Sequence, residues 1–114
     1  MTTTINVNMR TKDIINAQSA SYSIAMTSPD DTFIVTGICV VENGGTDRQK
    51  NPCDIGYIAT DKGVFGFISH VMLKSLPLLA DYLKECLDNG ETCEIRFLKK
   101  MTKDDQEFYS FEVV

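Results

Sequence analysis

The chain has 114 residues, 43% apolar and 24% charged, which suits one domain with a hydrophobic core and excludes wholesale disorder. A formal net charge of −5 and a pI of about 4.7 exclude a protein that coats duplex DNA by bulk positive charge. They leave room for a local basic groove on an acidic body.

In chain order, Thr4–Arg10 alternates Ile5, Val7 and Met9 with polar residues and predicts a strand with one apolar face. Thr11–Gln18 predicts a short helix with Thr11 as its N-cap and Asp13 in its first turn. Ser21–Thr27 predicts a further strand, and Ser28-Pro-Asp-Asp31 a turn. Thr32–Glu42 is rich in β-branched residues and predicts a long strand, with a bulge or sharp bend at Gly37. Asn43–Pro52 predicts a loop. Cys53–Thr60 and Val64–Ser69 predict strands joined by a tight turn at Asp61-Lys-Gly63.

A helix follows. Ser69 caps a short turn through His70–Lys74, and Ser75 caps the main helix, with Pro77 in its first turn. Leu76, Leu79, Ala80, Leu83 and Leu87 form its apolar face, Cys86 lies at the edge of that face, and Gly90 suits the left-handed cap. Thr92–Lys100 and Glu107–Val114 predict two strands joined by a charged hairpin at Met101–Gln106.

This order predicts a mostly β fold, a five-stranded OB barrel over residues 32–114 with a helix between its third and fourth strands. Residues 1–31 are an extension of the same single domain, expected to add a strand or to form a dimer contact. Other small β-plus-helix folds share parts of the order.

No apolar run approaches the roughly 18 residues that cross a bilayer, and Met1–Asn8 lacks the basic start and apolar stretch of an export signal. The expectation is a cytoplasmic protein without membrane contact, with Cys39, Cys53, Cys86 and Cys93 reduced. Those cysteines form no C-x-x-C pair, and His70 is the single histidine, so neither a zinc site nor any other metal or cofactor is expected. Catalysis is not expected either. Ser69 and His70 are neighbours in a strand-like run and point to opposite faces. Asp30-Asp31 and Asp104-Asp105 lie in turns, where aspartate bonds local backbone. Asn43-Gly-Gly45 is too short to cradle a phosphate.

Single strands are bound by cations along the phosphates and aromatic faces under the bases, and OB barrels place these on strands two and three and on two flanking loops. Arg48 and Lys50 fall in the first of those loops; Arg96, Lys99, Lys100 and Lys103 fall in or beside the second; Lys62 sits in the remaining hairpin. In the third barrel strand Val64, Gly66 and Ile68 share one face, and Phe65 and Phe67 the other. If the aliphatic side faces inward, Phe65 and Phe67 stand outside as stacking platforms, joined by Tyr57 and Tyr109. The alternative reading puts the phenylalanines in the core and leaves the lysines as solvated hairpin charges.

The stretch Asp54–Ser69, the amphipathic helix after it, and Cys93–Val113, a basic hairpin ending in an aromatic strand, resemble small OB-fold single-stranded DNA-binding proteins of phages and conjugative elements of Gram-positive bacteria. The likeness covers roughly residues 32–114 and is one of pattern. Acidic, glycine-rich tails through which bacterial members of the wider family recruit partners have no counterpart in Phe111-Glu-Val-Val114. The resemblance implies a non-catalytic single-stranded DNA-binding protein of DNA replication; a homo-oligomer and a host protein are open as further partners. The rival expectation is a small acidic phage-type protein–protein module, or an inhibitor of a nucleic-acid-binding partner.

Overall fold

The computed structural model describes residues 2–114. The elements follow as β1 (Thr3–Val7), α1 (Thr11–Ala20), β2 (Phe33–Thr46), β3 (Pro52–Thr60), β4 (Gly63–Phe67), α2 (His70–Asn89), β5 (Glu94–Met101) and β6 (Glu107–Val113). The strands pair antiparallel in the order β4-β3-β2-β5-β6, and β1 pairs with β2 beside them.

The β-branched run of β2 makes it the spine of the sheet. Ile38–Val41 are bonded to β3 on one side and to β1 on the other, while Phe33 and Ile34 pair with Ile95 and Glu94 of β5. The register with β3 shifts between Val35 and Gly37, as the glycine predicts. A Cβ on Gly37 would lie 2.6 Å from Met9 Cγ and 3.1 Å from Asn8 O, so the chain leaving β1 crosses the strand there.

Several elements differ from the sequence expectation. Helix α1 starts at Thr11 with Arg10 as its cap residue, and the Arg10 N–H donates to Asp13 Oδ2 at 3.0 Å. The loop expected over 43–52 shrinks to 47–51, because β2 runs on through a second irregularity between Val41 and Gly45. Asp47 Oδ1 holds the short turn by accepting from the Gln49 and Asn51 N–H groups, each at 2.9 Å. The strand expected at 21–27 is reduced to one parallel bridge, Tyr22 to Phe65, followed by a single helical turn at Ile24–Met26 capped by Ser23. Helix α2 is continuous from His70, with Pro77 in its interior and the Ser75 hydroxyl donating to Val71 O. Cys86 rather than Leu87 closes its buried face: the Glu91 N–H donates to Cys86 O where the chain turns back toward Cys93. Gly90 takes the left-handed cap at φ 68°.

No ladder joins β4 to β6 among the described residues, so the expected five-stranded barrel is not closed. The Tyr22 N–H instead donates to Val64 O at 2.8 Å, and the Gly66 N–H donates to Tyr22 O at 3.1 Å, laying the N-terminal segment along the free edge of β4. No helix among the described residues is long and apolar enough to cross a membrane.

Both faces of the sheet are covered. Inside, Ile38, Val40, Ile58, Phe65 and Phe67 join Met72, Leu76, Leu79 and Leu83 of α2 in one core. Outside, Cys39, Val41 and Tyr57 pack on Met9 and on Ile14 and Ala17 of α1.

Burial pushes the Cys39 thiol up to about 11 from an ordinary 9.0; Cys93 rises equally, by burial first and then through its contact with Cys86. The unfolded thiols ionise near pH 9.0, the folded ones near 11, so the stability present below pH 9.0 is lost as pH rises toward 11. The urea midpoint is expected to fall between about pH 8 and about pH 10.5, and less so in a Cys39→Ala, Cys93→Ala variant. Identical pH profiles for the two proteins would contradict this account.

Candidate nucleic-acid interface

Three of the four rings expected to stack bases are in the core. Phe65 and Phe67 are buried on the inner face, and Tyr57 is buried beneath α1 on the outer one. The alternation along β4 is as expected, but its sense is inverted. Phe67 fills the space over Gly56, where a Cβ would lie 2.6 Å from the ring and 2.9 Å from Leu76 Cδ1. Phe65 stands with Phe33 and Phe97 in a triangle of rings, centroids 5.0 to 5.4 Å apart. The outer face of β3 and β4, which the barrel expectation made the ligand platform, is occupied by the chain's own N-terminal helix. Ile14 and Ala17 need apolar cover, and Tyr57, Val41 and Val64 supply it.

The cations are partly engaged. Arg96 Nε lies 3.3 Å from Glu112 Oε1 without forming a hydrogen bond to it, and Lys99 Nζ lies 3.3 Å from Glu107 Oε1. Lys62 Nζ donates to Thr32 O at 2.7 Å and sits 4.9 Å above the Phe33 ring. Arg48, Lys50, Lys100 and Lys103 are exposed and carry no ion pair among the described residues. Lys100 follows Lys99 in β5 and so faces the other side of the sheet. The structure therefore does not gather all seven cations onto one surface.

It does bring three of the expected residues together. Lys99 and Tyr109 are cross-strand partners on β5 and β6. Tyr109, half-buried against the inner core, walls two adjoining cavities. The first, about 180 Å³, runs between Lys99 and the segment from Ile24 to Pro29. The second, about 320 Å³, runs from Ile24 past Gly66 and Ile68 to Arg48. Ile24 and Tyr109 line both, so the two cavities adjoin along the seam between β4 and β6, with Lys99 on the wall of the first and Arg48 on the wall of the second.

Sequence reasoning missed Ser23, Ile24 and Thr27, which line these cavities, and Tyr22, whose backbone bonds to β4 hold that segment in place. A signal was present in Gly63 and Gly66. A Cβ on Gly63 would meet Tyr22 Cε2 at 2.6 Å, and one on Gly66 would meet Ser21 Oγ at 2.8 Å. The glycines permit a second segment to lie on β4.

Among the described residues no group of three or more histidine, cysteine, aspartate or glutamate side chains is placed to hold a metal ion, and the four cysteines are free thiols. The chain matches no family model, no curated protein and no solved structure.

Proposed function

We propose that this chain is a non-catalytic single-stranded DNA-binding protein and that the strand lies in the groove lined by Arg48, Tyr109 and Lys99. The observation that carries this reading is a half-buried tyrosine that lines two adjoining cavities, one walled by Lys99 and the other by Arg48. A base on the Tyr109 ring would contribute roughly 1–3 kcal/mol, with phosphates meeting Lys99 on one side and Arg48 on the other. The Lys99–Glu107 pair is more than half exposed on both sides, so exchanging the carboxylate for a phosphate costs little. On this reading the open sheet is an OB-type barrel whose β4–β6 seam is filled by the segment around Tyr22 and Ile24. The two groove ends then belong to the loops that OB folds use for ligands.

A second reading, an acidic protein–protein module, is favoured by the burial of Tyr57, Phe65 and Phe67 and by the internal pairing of Arg96. One titration separates the two. Oligo-dT is expected to bind at low salt, with the logarithm of affinity falling by about 0.7 per decade of salt for each phosphate neutralised, hence by about 1.4 for Arg48 and Lys99 together. Absence of binding at low salt removes the first reading and leaves the second.

A further inference from the structure

We infer that the nucleic-acid path continues beyond Thr27 to a second base-stacking subsite, formed by Tyr22 and Met26 beside Lys62. This rests on the single-strand reading above and extends it to residues in the N-terminal segment. The Tyr22 ring is 50% exposed and Met26 is 76% exposed, and both line one depression of about 230 Å³ with Thr27 and Lys62. Scattered apolar residues on a surface need no explanation; a ring and a thioether flanking a positioned ammonium in one concavity do.

The subsite is held in place before any ligand arrives. Two backbone hydrogen bonds fix Tyr22 to β4, Gly63 lies directly under its ring, and Phe65 packs against it at 6.0 Å with the planes tilted by 49°. Half of the residue's surface stays exposed despite these contacts. Little conformational freedom is left to lose on binding. Lys62 is equally set. Its bond to Thr32 O uses one of three ammonium donors, leaving two for a phosphate. Asp31 on the same wall is engaged locally, its carboxylate accepting from the Ser28 N–H at 3.1 Å.

Continuity supplies the rest of the argument. Thr27 lines both this depression and the one that holds Lys99 and Tyr109. Rings and cations therefore alternate along one track: Tyr22 with Lys62, Tyr109 with Lys99, then Arg48. Such spacing suits a flexible anionic chain with flat bases and does not suit a duplex, whose bases are stacked away from side-chain rings.

The test uses the full chain and fluorescein-labelled oligo-dT of increasing length, read by anisotropy. Wild-type affinity is expected to step up once the oligonucleotide is long enough to reach both rings. Tyr22→Ala is expected to abolish that step, a loss of about tenfold for long oligonucleotides, and to leave the shortest bound oligonucleotide unaffected. Tyr22→Phe is expected to keep it. Met26→Glu removes no core contact and is expected to weaken long oligonucleotides by repelling phosphate, so it decides the matter if Tyr22→Ala fails to fold. Binding that Tyr109→Ala weakens, but that Tyr22→Ala and Met26→Glu leave unchanged at every length, overturns the subsite alone. No binding by the wild-type protein overturns the single-strand reading and this subsite with it.

Discussion

Substituting Phe65 with alanine is expected to lower the unfolding free energy by about 3–5 kcal/mol, a large part of the roughly 5–15 kcal/mol of a typical domain. The ring is 5% exposed and meets Phe33 edge-on at 5.0 Å and Phe97 at 5.2 Å. Its position makes the loss more than local. The β1–β4 part of the sheet is joined to the β5–β6 hairpin by two register pairs, Phe33 with Ile95 and Ile34 with Glu94. The backbone therefore supplies a short seam there, and the three rings pack across it, alongside α2, which contacts strands of both parts. Alanine leaves a cavity at that junction, and a β-sheet backbone cannot collapse to fill it without breaking ladder hydrogen bonds. Urea denaturation followed by circular dichroism reads the change directly. A loss below about 1 kcal/mol together with weakened oligonucleotide binding would return the ring to the surface and contradict the packing described.

The second large effect is expected at Tyr109. Replacing it with alanine should reduce affinity for oligo-dT at fixed salt by about 1–3 kcal/mol, roughly five- to 150-fold. Tyr109→Phe should retain nearly all of the affinity, because stacking uses the ring and not the hydroxyl. The salt response separates this role from that of the cations. Tyr109→Ala should shift the salt plot down without changing its slope, whereas Arg48→Ala or Lys99→Ala should each reduce the slope by about 0.7. Tyr109 is also half-buried against the inner core, so the alanine variant must be shown to be folded before its affinity is read. Equal binding by Tyr109→Ala and the wild-type protein would remove the groove as the binding site, even if the protein binds DNA elsewhere.

The chain illustrates where a sequence speaks and where it does not. The parity of β4 was legible: residues 65 and 67 share one face and 64 and 66 the other. Which face is inner was not, because strand alternation is symmetric until something covers one side. Here the main core, which includes Phe33, Phe97 and residues of α2, takes the phenylalanine face and α1 covers the Tyr57 and Val64 face, so neither is left to a ligand. The cations were legible as charges in hairpins, yet their availability depends on partners across strands. Arg96 meets Glu112 and Lys99 meets Glu107 through pairing that no local pattern encodes.

By itself the sequence determined the features that depend on a few consecutive residues. The turn at Asp61–Gly63, the bend at Gly37, the left-handed cap at Gly90 and the apolar stripe of α2 all follow from local φ/ψ preference and periodicity. The tertiary structure decided everything that needs two distant segments. It put the segment around Tyr22 along the edge of β4, closed α1 over Tyr57, and set Tyr109 on the walls of two adjoining cavities, one with Lys99 and one with Arg48. The physical reason is that burial and hydrogen-bond satisfaction are properties of the whole packed chain. A free strand edge and an uncovered apolar face are filled by whichever segment can reach them, and here that segment is the N-terminal extension.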